Sequence, residues 1–168
     1  MARQRSGLGR ADALREIQRE VVEADPDAGL AVAIDIGDRY DIHPTNKQEV
    51  GRRLALAARA VAYGETDIPA SPSPRAAGRA GNAVVVSFDR VGEGLIVYGA
   101  SRPIGFELCG PEGCRFVDAR VEGDTVVLDA AGVPAATTVR FCWADSPVCN
   151  LYGDAGLPAV PFEIPIGG

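Results

Sequence analysis

Across residues 64 to 81 the hydrophobic period of this 168-residue chain changes from 3.6 to 2, so the two sides cannot belong to one kind of layer. On the amino-terminal side Leu14, Ile17, Val21 and Val22 fall at helical spacing, with Arg15, Glu16, Arg19, Glu20 and Glu23 filling the other face. That pattern predicts an amphipathic helix over 12–24, with Asp12 as a candidate cap and Asp25-Pro26-Asp27 as its stop. Residues 29–36, GLAVAIDI, form an almost unbroken apolar run, the signature of a parallel strand covered on both faces. A second helix is expected from Asn46, with Val50, Leu54, Ala57, Ala58 and Val61 on one stripe and Tyr63-Gly64 ending it.

The stretch 64–81 is rich in proline and small residues and reads as a linker. Beyond it NAVVVSF (82–88), GLIVYG (94–99), IGFELC (104–109), CRFVDA (114–119), DTVVLD (124–129) and TTVRFCW (137–143) read as short strands between Gly, Pro and Asp turns. In the last of these, Val139, Phe141 and Trp143 alternate with Thr138, Arg140 and Cys142, which leaves Cys142 half exposed. The expected fold class is therefore an α/β fragment, helix, strand and helix of a doubly wound sheet over 1–63, followed by an all-β sandwich-like module over 82–168.

Charge narrows the partners. The net charge of −6 is confined to the second half: residues 1–63 carry ten charges of each sign, whereas 81–168 carry five basic against eleven acidic. An acidic half without a basic stripe repels phosphate backbones, so no nucleic-acid partner is expected. No run approaches the eighteen or so apolar residues of a membrane span, and the first thirty residues lack the apolar stretch of a secretory signal, so no membrane partner is expected and the location is left open.

The chemistry concentrates on the single histidine. His43 stands in GDRYDIHPTNK, between the apolar run and the second helix, where open α/β sheets collect their reactive groups. Asp35, Asp38 and Asp41 flank it, and Pro44 stiffens the loop. An imidazole oriented by a carboxylate is the general base that a nucleophilic serine needs. The structural alternative, which spacing alone leaves open, makes His43 a helix-entry residue and the aspartates solvated turn residues.

ALREIQRE, AVAIDIGDRYDIHPTNKQEVGRRLALAARAVAYGE and VRFCWADSPVCNLYGDAGLPAVPF resemble the carboxy-terminal third of the sialate O-acetylesterases, serine esterases of the SGNH, or GDSL-like, superfamily. The resemblance covers nearly the whole chain, thinly between 65 and 135, and implies an SGNH-type doubly wound sheet for the first part. It implies His43 as the catalytic base. The superfamily's usual Asp-x-x-His spacing would put the acid where Tyr40 stands, so Asp41 or Asp38 is the candidate. The implied activity is hydrolysis of O-acetyl esters on a sugar, sialic acid or polysaccharide-derived, without metal or organic cofactor, in relatives that are secreted or periplasmic.

The glycine-rich nucleophile motif and the oxyanion donors of such enzymes are not found here, and Ser6, Ser71, Ser73, Ser87, Ser101 and Ser146 lie in tails, linkers or the β-module. The expectation is a fragment that supplies the histidine and needs an amino-terminal half of the catalytic domain, or self-association, to cover its apolar surfaces. The competing expectation is a catalytically inactive β-sandwich interaction module. Cys109 with Cys114 and Cys142 with Cys149 form local pairs, read as disulfides or thiols ahead of a zinc site. Sugar stacking on Trp143 or Tyr152 competes with core filling, and a sugar carboxylate on Arg52 or Arg53 competes with helix-surface salt pairs.

Overall fold

The computed structural model describes residues 11–167. Two helices precede ten strands: α1 (Ala11–Ala24), α2 (Lys47–Val61), β1 (Ser73–Ala80), β2 (Ala83–Asp89), β3 (Leu95–Val97), β4 (Phe106–Gly110), β5 (Gly113–Phe116), β6 (Ala119–Glu122), β7 (Thr125–Asp129), β8 (Thr138–Phe141), β9 (Leu151–Gly153) and β10 (Phe162–Gly167). Both helices fall where the 3.6 period puts them. The Asn46 side chain accepts the backbone N–H of Glu49 to cap α2, and Gly64, at φ 64°, takes the left-handed conformation just beyond its end.

Residues 29–36 do not form the expected strand. They run as irregular chain ending in a turn closed by the Ile36 N–H on the Ala33 carbonyl. The physical reason is the absence, among the described residues, of any neighbouring strand to take up their backbone groups: an apolar run becomes a parallel strand only beside partners. The segment lies instead against α2, with Gly29 so close that a Cβ would sit 3.1 Å from that of Ala57, and Val32 is buried.

The second part is β-rich, in the order β5-β4-β8-β10-β1-β2-β7-β6, with a separate ribbon of β3 and β9. One mixed sheet of eight strands, parallel only between β1 and β10, makes up the β-rich module where the sequence pointed to a sandwich or barrel-like one. Val84, Val86, Phe88, Val126 and Leu128 from one half and Phe106, Leu108, Val139, Phe141 and Phe162 from the other belong to one buried cluster. The sheet therefore curls over its own core, and the rings of Phe88 and Phe162 meet edge-on at 5.9 Å across it. Strand β1 lies in the stretch read as linker; Pro74 sits at the register shift of its pairing with β2, which is how a proline is accommodated there. Residues 114–119, read as one strand, divide between β5 and β6, and β9 and β10 add two strands to those expected.

Cys109–Cys114 staples the β4–β5 hairpin and Cys142–Cys149 closes the loop after β8, so neither pair offers thiolates to zinc. Cys142 is buried rather than half exposed, because β8 ends at Phe141 and the chain turns inward at Cys142, whose φ is 52°.

Among the described residues the helices bury charged side chains and leave large apolar ones exposed. On α1 it is Asp12, Glu16 and Arg19 that are buried, and on α2 Arg53, while Leu14, Ile17 and Val21 stay 57, 55 and 54% exposed and Leu54 54%. Two of these buried charges satisfy each other: the Arg19 guanidinium donates to both oxygens of Glu16, and it also donates to Glu23, which accepts the Ser73 hydroxyl. Arg15 donates to the carbonyl of Ala144 and the Ala11 N–H to Asp145, so α1 docks its charged face on the β-rich part. Its apolar stripe, the one the period predicts, is left uncovered by the described residues. No described helix is long and apolar enough to cross a membrane.

Candidate functional site

His43 sits in an exposed loop between the turn at residues 34–36 and the cap of α2. Two Asx turns shape this loop: Asp38 Oδ1 accepts the Tyr40 N–H and Asp41 Oδ1 accepts the His43 N–H, each at 2.7 Å. Asp41 is thus brought to His43 through the backbone amide, and among the described residues the imidazole itself has no hydrogen-bond partner. None of Ser71, Ser73, Ser87, Ser101 and Ser146 bonds to it: Ser73 donates to Glu23 and Ser87 to the Ala76 carbonyl. Ser6 lies outside the described residues. Tyr40 and Ile42, 91 and 89% exposed, put two large apolar side chains on the same loop.

Asp35, the third flanking carboxylate, has a different fate. Arg53 donates from Nη1 to Asp35 Oδ1 at 2.5 Å and from Nη2 to Oδ2 at 2.8 Å, the parallel fork that a guanidinium makes with a carboxylate. Its Nη1 also reaches the Val32 carbonyl and its Nε the Glu49 carboxylate. The Tyr152 hydroxyl donates to Asp35 Oδ2 at 3.5 Å. These contacts hold the Arg53 guanidinium firmly charged, with the Asp35 hydrogen bond the largest cause, while burial first and the Asp35 charge second push the Tyr152 phenol above its ordinary value. Hydrogen bonds from Arg52, then from Arg53, lower Glu49 to about 2.

The remaining candidates separate. Arg52 makes the helix-surface salt pair with Glu49, whereas Arg53 points inward and is not free to meet a sugar carboxylate. Trp143 is half-buried beneath the Arg140 guanidinium, 4.8 Å from its ring centre. Tyr152 stacks edge-on against Tyr98 at 4.8 Å. A cleft of about 910 Å³ opens between the carboxyl ends of the two helices and the β-rich part, lined by Glu23, Asp25, Val61, Ile68 and Asp154; His43 is not in it. The inward role of Arg53 and the reach of Tyr152 were missed from the sequence. Glu49 at i−4 from Arg53 was the one visible signal for the first, and it looks the same in an ordinary surface pair, while nothing local signalled the second. Among the described residues no group of three or more His, Cys, Asp or Glu side chains is placed to hold a metal ion.

No family model matches the chain. It is 31% identical over 151 residues to the sialate O-acetylesterase of Mus musculus, covering 82% of this chain and 28% of that protein. The Homo sapiens sialate O-acetylesterase is 27% identical over 152 residues, with 82% of this chain and 29% of that one covered. Among solved structures, a carbohydrate acetylesterase from Xanthomonas citri superposes with a TM-score of 0.80 at 40% identity, covering 87% of this chain and 34% of its own. The chain spans about a third or less of the length of the proteins it matches. Over most of its own length, then, this chain is a homologue of one segment of the sialate O-acetylesterases and of a carbohydrate acetylesterase.

Proposed function

We propose that this chain supplies the histidine base of a carbohydrate O-acetylesterase whose nucleophilic serine lies on an amino-terminal part of the catalytic domain. The observation that carries the reading is the exposed imidazole of His43, which has no hydrogen-bond partner among the described residues, in a chain whose α1 apolar stripe those residues leave uncovered. Relatives named as acetylesterases of sialic acid and carbohydrate support an acetylated sugar as substrate.

In the assembled site the His43 imidazole takes the proton of the serine hydroxyl as its oxygen attacks the acetyl carbonyl. The imidazolium then returns that proton to the departing sugar oxygen, leaving an acetyl-serine and a free sugar hydroxyl. Water, deprotonated by the same imidazole, attacks the acetyl group, and the imidazolium gives that proton to the serine oxygen as the acyl bond breaks, releasing acetate and regenerating the serine. Asp41 or Asp38 orients the ring through its second carboxylate oxygen, since only Oδ1 of each accepts a backbone N–H. Leu14, Ile17 and Val21 on α1, and separately Leu54 on α2 and Tyr40 and Ile42 on the loop, are the exposed apolar side chains available to that partner.

The test is turnover of p-nitrophenyl acetate and of an O-acetylated sialic acid by the chain alone, by the amino-terminal part alone, and by the two together. Activity is expected only in the mixture and only with His43 intact. Hydrolysis by the chain alone that is lost in His43→Ala would place the nucleophile within these residues and overturn the split site.

A further inference from the structure

The His43 loop, residues 36–46, has no regular secondary structure, yet a base must be held to within about an ångström to be useful. Its internal bonds are two short Asx turns, which set local shape and not the placement of the whole loop. Placement has to come from its two feet, and both feet meet at one side chain. Arg53 is one helical turn beyond Glu49, faces inward and is 5% exposed. Its Nη atoms hold the segment entering the loop, through the Val32 carbonyl and both oxygens of Asp35, and its Nε holds Glu49 in the first turn of the helix leaving it. The Glu49 N–H in turn bonds the Asn46 cap, which closes the exit. A planar guanidinium with donors on three sides can span these partners at once; a lysine ammonium of similar length cannot form the fork and reach both feet.

The β-rich part takes a share in this. Tyr152 is in β9, opposite Ile96 of β3, and its ring is fixed edge-on against Tyr98. Its hydroxyl bonds the Asp35 oxygen that also accepts from Arg53 Nη2, so the ribbon braces the foot of the loop from outside. Burial first and the Asp35 charge second push the phenol above its ordinary value, in the direction that favours the donor form.

We infer that Arg53 is a positioning residue for the His43 loop, braced by Tyr152 so that the β3–β9 ribbon is part of the apparatus that places the base. The catalytic consequence rests on the reading of His43 as base; the clamp itself does not.

The experiment measures backbone ¹⁵N order parameters for residues 36–46 in the full chain, for the natural protein, Arg53→Lys, Arg53→Gln and Tyr152→Phe. Val126→Ala, a fully buried residue of β7, serves as a control matched in lost thermal stability. The natural loop is expected near the rigid value of about 0.85, both Arg53 variants below about 0.6, Tyr152→Phe between them, and the control unchanged. Equal order in Arg53→Gln and the control, or a natural loop already below about 0.6, overturns the inference. Should Arg53→Gln fail to fold, Tyr152→Phe decides, since an unaltered loop there removes the ribbon from the apparatus. Order parameters need no turnover, so a loop loosened by Arg53→Lys in a chain without His43-dependent esterase activity retains the clamp and discards the functional reading.

Discussion

Replacing Leu14 and Ile17 by lysine should leave the fold of this chain nearly intact and remove its ability to associate. The two side chains are 57 and 55% exposed, so within the chain each has only about half of its burial to lose. Full burial of such a side chain is worth about 1.5–3 kcal/mol, so covering the exposed half contributes about 1 kcal/mol per residue. Leu14, Ile17, Val21 and Leu54 together then offer about 4 kcal/mol to whatever covers them, roughly a thousandfold in an association constant. A lysine at either position removes its share and adds the cost of desolvating a charge in the contact. The assay is light scattering across a dilution series, with and without the amino-terminal part, alongside thermal unfolding. The double variant should unfold within a few degrees of the natural chain and bind the partner at least a hundredfold more weakly. A collapse of thermal stability would show that the stripe is buried within this chain; unaltered association would show that the contact lies elsewhere.

Three further outcomes follow from particular contacts. Arg52 and Arg53 lower the Glu49 carboxyl to about 2 from an ordinary 4.5, so its stabilising contribution is complete above about pH 4.5 and is lost as pH falls toward 2. Thermal unfolding of Glu49→Gln and the natural chain between pH 5 and pH 2 should converge as the pH drops, and parallel curves would refute the pairing. Reducing either Cys109–Cys114 or Cys142–Cys149 releases a short loop in the unfolded chain and should cost about 2 kcal/mol, read as a lower Tm in reductant; an unshifted Tm with all four thiols titrating would contradict it. Arg53→Lys should lower kcat of the assembled enzyme with little change in KM, because it displaces the base and not the sugar, and a pure KM effect would point to substrate binding instead.

The helices were legible because a 3.6 period, a capping asparagine and a terminal glycine are local signals, and strands β2, β4, β7 and β8 because alternation is local too. What a period cannot report is whether the stripe it marks meets anything. On α1 the stripe is real, but the chain buries the opposite, ion-paired face. Residues 29–36 misled for a related reason: their apolar character calls for strand neighbours that the described residues do not supply. Strand β1 was hidden by Pro74 and by a run of Ala, Gly and Arg with no alternating large side chains, and its identity depends on distant β10 as well as adjacent β2. Of the site, the place of His43 in the loop before α2 was readable, and the use of Asp38 and Asp41 as turn residues was one of two readings between which spacing did not choose. Both uses of an aspartate leave the same residue at the same spacing. Tyr152 lies 117 residues from Asp35, and nothing local links them.

The most direct test of the account is chemical rescue. In the assembled enzyme His43→Ala should lower the rate of acetate release from an O-acetylated sugar by a factor on the order of a thousand or more, and added imidazole should restore part of it in proportion to its unprotonated fraction. Recovery along the imidazole titration curve is the predicted result, since small imidazoles then stand where the side chain took the proton of the serine. A rate that His43→Ala leaves unchanged would contradict the claim that this chain supplies the base.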